Sequence, residues 1–263
     1  MKKRGTRALT LNMNENFLPK SKRSQLTIFI IIAILIIAVV VLFFTFRGSL
    51  QIPGKPVSPE TAEIQNFVQE CLDETSELAI FDIAERGGYE DPSKVSSTIV
   101  FNTPYYIKNN KNLMPSKEKI QEEISKSLEK QMYSCVNNFA LFPEYEITKG
   151  KMEIKTTIDS EKVLVEMDYP LTIKKGESSS KLKKFNSEVP IRLGIIYDAV
   201  AEFIVQSVNY KGVCINCLLE ISSKNSLQSS FSDYDNKTTI FIINDPQSKL
   251  NEREFVYVFA NEY

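Results

Sequence analysis

The chain contains no histidine and no tryptophan. Histidine is the commonest general base near neutral pH and the commonest transition-metal ligand, so its absence removes hydrolytic triads and histidine-based metal centres together. A glycine-rich phosphate loop and a nucleophile elbow are also missing. Two acid pairs are present, Glu122 with Glu123 and Asp233 with Asp235. They lie in polar stretches that lack the apolar surroundings needed to raise a catalytic carboxyl's pKa. No catalytic residue, no cofactor and no metal site is therefore expected. The formal net charge is −1, which argues against nucleic acid as a partner, because that requires clustered Lys and Arg to displace counterions.

Long charge-free runs are absent except in one place, Leu26 to Phe46. These 21 residues hold no charge, amide, Gly or Pro, and only Thr27 and Thr45 are polar. A helix crosses the ~30 Å hydrocarbon layer with about 20 apolar residues. In lipid the backbone must satisfy its own hydrogen bonds, so a helix is expected despite the many β-branched residues. Residues 1–25 carry seven Lys and Arg against Glu15, a balance of +6, which leaves −7 for residues 26–263. Basic flanks stay in the cytoplasm, so the N-terminus is expected inside and the bulk of the chain outside. A cleaved signal peptide has a shorter apolar core and a small-residue cleavage site. Here the run is longer and exits through Phe44, Thr45, Phe46 and Arg47, the pattern of an uncleaved anchor. Four segments follow: a cytoplasmic basic tail 1–25, a transmembrane helix 26–46, a linker 47–58 and an extracytoplasmic α+β domain 59–263.

The linker is stiffened by Pro53 and Pro56 and ends where Ser58 and Pro59 start a helix. Ile64, Phe67, Val68, Cys71, Leu72, Leu78, Ala79 and Ile83 mark one apolar face as far as Glu85, and Gly87-Gly88 stops it. A short strand is expected over 97–101. A second helix opens at Pro115-Ser116, with Ile120, Ile124, Leu128, Met132, Cys135 and Phe139 on its apolar side. From Met152 to Leu193 alternating residues give three or four antiparallel strands, with Pro170 allowed only at an edge or a bulge. A third helix follows over 194–210, then a polar helix or loop as far as Asp235. Thr238–Asn244 and Glu254–Ala260 close the chain as strands around an Asp-Pro-Gln-Ser turn. Helices packed on a mainly antiparallel sheet are expected.

Four cysteines in an exported domain point to bridges. Cys71 and Cys135 fall on the core faces of two helices, and a bridge between them would close a 65-residue loop. In the chain-entropy model that is worth about 3–5 kcal/mol; the alternative is two free cysteines acting as small hydrophobes. Cys214-x-x-Cys217 has two readings. A redox dithiol needs a strand before it and a helix after it. An amphipathic helix precedes this one, so a local structural disulfide is the better reading. Asn236-Lys237-Thr238 is the one N-glycosylation acceptor triplet, with Asn236 as the glycosylation candidate. Tyr105 and Tyr106, beside amides, form a recognition patch if exposed and a core edge if not.

Phe67-Val-Gln-Glu-Cys71-Leu72, Gly87-Gly88-Tyr89, Met167-Asp-Tyr-Pro170-Leu171 and Phe255-Val-Tyr-Val-Phe259-Ala260 resemble a loose group of single-pass archaeal membrane proteins with an extracytoplasmic α+β domain. The resemblance implies architecture and source, and carries no activity. The expected function is a non-catalytic binding or scaffolding protein of the cell envelope, single-pass in the cell membrane, with a protein partner there. Two other readings stand beside it. One is a bitopic subunit of a secretion, pilus or conjugation-type machine. The other is a membrane-tethered thiol-disulfide oxidoreductase using Cys214 and Cys217.

Overall fold

The computed structural model describes residue 36 and residues 59–98, 101–208, 210, 212–250 and 253–263. Past residue 57 these belong to one compact unit, Val57–Tyr263. The basic tail 1–25, the linker 47–58 and the apolar run 26–46 lie outside the described residues, apart from Ile36, which is helical. Among the described residues no helix is long and apolar enough to cross a membrane.

Helix α1, Pro59–Glu85, buries Ile64, Val68, Leu72, Ala79, Ile80 and Ile83, a spacing that lays one stripe along a core. It closes with paired backbone bonds, Gly88 N–H to the Ile83 carbonyl at 2.8 Å and Gly87 N–H to that of Ala84 at 3.1 Å. This is the Schellman ending, and Gly87 adopts the left-handed φ of 57° it requires. A Cβ at Gly87 would lie 2.7 Å from the Val258 carbonyl oxygen, so handedness and close packing both demand glycine there.

Helix α2, Lys117–Val136, starts at Ser116, whose hydroxyl accepts the Lys119 N–H at 3.2 Å. It runs antiparallel to α1. Gly88 lies against Ile120 at one end, and Cys71 is bonded to Cys135 further back, with the Cα atoms 5.8 Å apart. The expected bridge is thus present. The helix stops short of Phe139, because Asn137 and Asn138 take positive φ values that asparagine tolerates. Phe139 still joins the core, edge-on to Phe67 at 6.3 Å.

The unit is α+β, with helices packed on two sheets. In the first sheet β5 (Val163–Lys175) is central. β6 (Ser178–Val189) runs along one side, and β4 (Glu153–Ile158) and β3 (Glu146–Lys149) share the other. Pro170 sits at a bulge: the β5–β6 register jumps between Asp168 and Leu171, so its missing N–H breaks no ladder. Helix α2 covers the β4 edge. Ser125 Oγ accepts the Thr156 N–H at 3.1 Å, and Gln121 Oε1 accepts the Ile158 N–H at 2.9 Å, which removes that edge as a pairing template.

The second sheet has the order β2-β1-β9-β8-β7. Its strands are β1 (Tyr105–Lys108), β2 (Lys111–Asn112), β7 (Gln228–Asp233), β8 (Thr238–Leu250) and β9 (Arg253–Glu262). Its pairings are antiparallel except β1 with β9. Helices α3 (Leu193–Ser207) and α4 (Ile215–Lys224) cover its inner face, where Phe203 meets Phe241 at 5.2 Å and Tyr106 stacks on Phe259 at 4.8 Å. Two expectations need correcting here. The stretch read as polar helix or loop up to Asp235 holds α4 and then β7, an edge strand whose pairing with β8 supplies what its sequence lacks. The strand expected over 97–101 is a single bridge, Ser97 with Pro104, with residues 99–100 outside the description.

The Asp-Pro-Gln-Ser segment bulges inside β8, where the register jumps from Asp245↔Phe255 to Lys249↔Glu254. The bulge buries Asp245 completely. Arg192, just before α3, donates from Nε to Asp245 Oδ2 at 3.0 Å, and the Ser248 hydroxyl also donates to that carboxylate. Burial pushes the Asp245 carboxyl upward, but hydrogen bonds from Arg192, Ser248 and the Gln247 N–H outweigh it and hold the pKa below the usual carboxylate value.

Three variants test these contacts. Replacing Cys71 and Cys135 together by Ala lowers the unfolding free energy by about 4 kcal/mol in urea titrations of the oxidised protein. The lowered Asp245 pKa contributes stability that is full above the unfolded carboxyl value and fades as pH falls through the folded one. Asp245→Asn therefore flattens the acid limb of stability measured below about pH 5. Arg192→Met, which strands the carboxylate, costs about 3–5 kcal/mol at neutral pH.

Candidate functional site

Beyond the C-terminal end of α1, the second sheet and the α3–α4 connection enclose an open cleft of about 850 Å³. Successive contacts place it there. Phe81 of α1 packs on Phe255, Gly87 approaches Val258, and β9 continues past the helix to Tyr263 on the cleft wall. The β7–β8 turn forms one side. Asp235 Oδ1 accepts the N–H groups of Lys237 and Thr238, both at 2.8 Å, the side-chain turn that Asp makes readily. The Lys237 backbone N–H leads in lowering the Asp235 pKa. Asp233 accepts the Thr239 hydroxyl at 3.0 Å, and Tyr263 N–H reaches the Lys237 carbonyl at 2.8 Å. The acid pair read from the sequence thus shapes the turn, with both carboxylates hydrogen-bonded and Asp235 firmly ionised.

The far side is Tyr210, Gly212 and Val213, the approach to the C-x-x-C segment. Asn110 enters from the β1–β2 turn, where Asn109 and Asn110 both take positive φ, the two-residue hairpin geometry that suits strand twist. Tyr210 is 56 % exposed, while burial raises the Tyr263 phenol pKa. Tyrosine rings, amides and fixed carboxylates give such a cleft flat apolar faces rimmed with donors and acceptors, which suits recognition at low entropy cost.

Cys214 and Cys217 are bonded, with Cα atoms 5.3 Å apart, and Cys214 is the N-cap residue of α4. Cys214 is buried and Cys217 half-buried. A helix N-terminus favours a thiolate. Yet α3 precedes the motif and not a strand, so the bridge pins the α3–α4 turn that walls the cleft. Asn236 is exposed at the β7–β8 turn and lines the same cleft, so a glycan there would stand at its mouth.

Tyr105 and Tyr106 do not form a surface patch. Tyr105 is 7 % exposed and Tyr106 fully buried. The Tyr106 hydroxyl donates to the Gly87 carbonyl at 2.9 Å and lies 2.6 Å from that of Tyr257. Burial raises the pKa of both phenols. An unpaired hydroxyl at that depth would cost about 1–3 kcal/mol, so the pair and the tight turn at Gly87 depend on each other. The residues around it in sequence, Asn102 to Pro115, contribute Asn110 to the cleft instead.

The structure brings Asn236, the Asp233/Asp235 pair and the approach to Cys214 together on one cleft, and sets Cys71–Cys135 and the two tyrosines apart from it. Sequence reasoning missed Tyr210, Tyr234 and Tyr263 as cleft residues, since nothing local joins them. Among the described residues no cluster of three or more Cys, Asp or Glu has the geometry to hold a metal ion. No family model, no curated protein and no solved structure matches this chain.

A structural role for the Cys214–Cys217 bridge has a direct test. In differential alkylation of the full chain, both disulfides should stay oxidised in glutathione buffers down to about −300 mV. Exchange of Cys214–Cys217 at about −120 to −230 mV, the range of working oxidoreductases, would overturn that reading.

Proposed function

We propose that the chain is a non-catalytic binding or scaffolding protein of the cell envelope, held by residues 26–46 in the cell membrane with its N-terminus in the cytoplasm and its α+β domain outside. The observation that carries this reading is the uncharged 21-residue run behind a tail of charge +6, followed by a domain with two disulfides. Bridges of that kind persist in oxidising compartments. The resemblance to single-pass archaeal membrane proteins points the same way. Ligand recognition is assigned to the cleft, with Tyr210, Tyr234 and Tyr263 as its aromatic contacts and the β7–β8 turn as its rigid rim. The partner is a protein of the envelope, and a subunit role in a secretion, pilus or conjugation-type machine is one form such binding takes. The Cys214–Cys217 disulfide at the N-terminus of α4 is the observation favouring the oxidoreductase alternative.

Two measurements test this. Protease added to intact cells should digest residues beyond 47 and leave a membrane-embedded N-terminal fragment; a fully protected chain would reverse the orientation. A photoreactive residue at position 210 or 236 should crosslink one partner reproducibly in native membranes, while the same group at Lys181 should not. Equal labelling from all three positions would remove the cleft from consideration.

A further inference from the structure

The opposite end of the domain has a different surface. From Phe67, in the first third of α1, ring contacts lead to Phe142 at 5.2 Å and then to Tyr145 at 6.3 Å. The Lys175 ammonium lies 4.5 Å from the centre of the Tyr145 ring. The α2–β3 connection and the tip of the β5–β6 hairpin therefore sit together at the end where α1 begins. Leu141, in that connection, is 73 % exposed, the highest value among the described large hydrophobic residues.

The hairpin is basic in an acidic domain. Residues 170–184 carry Lys174, Lys175, Lys181, Lys183 and Lys184 against Glu177, a balance of +4, while residues 26–263 as a whole carry −7. Neighbouring acids offset part of this: Glu146 lies 3.9 Å from Lys174 and Asp168 3.2 Å from Lys183, with Glu144 in the adjoining connection. An apolar side chain and half-buried aromatic rings ringed by lysines form the composition of a membrane-interface surface. The rings lie at headgroup depth, and the lysine stems reach past them to the phosphates. The tether agrees, because residues 47–58 number twelve and span at most about 40 Å when fully extended. The start of α1 is thus held close to any bilayer that contains residues 26–46, at high effective concentration.

We propose that this end of the domain, centred on Leu141, Phe142, Tyr145 and the lysines of the β5–β6 hairpin, docks on the anionic headgroup layer of the membrane. The inference rests on the anchored reading above. Docking would fix the domain upright and leave the cleft facing away from the lipid.

The absence of native tryptophan allows a direct test on the full chain. Leu141→Trp and Leu219→Trp each place one reporter at an exposed position, the second on α4 in the far half of the domain. Each is reconstituted in vesicles of equal parts phosphatidylglycerol and phosphatidylcholine, with bromine on the upper acyl chain. The Leu141→Trp emission should be quenched several-fold more than that of Leu219→Trp. The difference should fall in phosphatidylcholine alone, and with Lys174, Lys175 and Lys181 all changed to Glu. Equal quenching of the two reporters in chains that resist alkaline carbonate overturns docking and leaves the anchor standing. Extraction of the chain by carbonate overturns both. If the charge reversal leaves the quenching unchanged but abolishes a protein crosslink, the hairpin is a protein-binding surface and the proposal is wrong.

Discussion

The pairing of α1 with α2 is the constraint on which the remaining structure depends. α1 has 27 residues, about 40 Å of helix at 1.5 Å per residue, and it serves two sheets in succession. Near its start, Phe67 packs on the rings that lead to the first sheet; near its end, Phe81 meets Phe255 edge-on in the second. A helix shared in this way joins the faces of both sheets into one continuous hydrophobic core. α2 fixes its position from the other side, by the Cys71–Cys135 bridge and by side chains that close the β4 edge. Any tilt of α1 would disturb Gly87, Tyr106 and Tyr257 at one end and Phe139 and Tyr169 at the other.

Much of this was legible in the sequence where one periodicity ran unopposed. The faces of α1 and α2 are written in residues three and four apart, except for Leu78, which is expected on the α1 face but is 52 % exposed, and the glycine pair after Glu85 marks the stop correctly. Pro170 is compatible only with an edge or a bulge, and the strand bulges there. What failed depended on neighbours. β7 reads Gln-Ser-Ser-Phe-Ser-Asp, with no alternation to mark a strand, and it is one because β8 offers an edge. The Asp245 segment contains the residues of an ordinary turn, yet the chain bulges to carry the carboxylate inward. The available sign was Arg192, a charge between apolar Ile191 and Leu193. Its partner, 53 residues away, is not deducible from either segment.

The candidate site was legible in fragments. The C-x-x-C spacing and the Asn236 triplet are local, and both lie at or next to the cleft. The cleft itself is assembled from a β-turn, a helix connection, a two-asparagine hairpin and the C-terminal residue, four places with no shared pattern. Tyr105 and Tyr106 show the converse error. Tyrosines next to amides look like a surface, but strand alternation on a sheet covered by helices sends Tyr106 to the core, and Tyr105 is buried with its hydroxyl 3.3 Å from that of Thr238. Composition cannot separate an exposed tyrosine from one whose hydroxyl is held at depth by a glycine carbonyl.

The domain is polar along its length, and that polarity connects the physical chemistry to the proposed role. The end where α1 starts has exposed Leu141, aromatic rings and a hairpin of net positive charge. The end beyond α1 has the acid-rimmed cleft and the second disulfide. Charge separated in this way destabilises a free domain little, since the two ends are several Debye lengths apart at ordinary ionic strength. It would bias orientation at an anionic surface, where attraction acts on the basic end. A short tether alone would allow the cleft to point toward or away from the bilayer. On the anchored reading proposed above, docking of the basic end would leave the cleft facing outward, and a partner would then bind there without the entropy loss of searching for its orientation first.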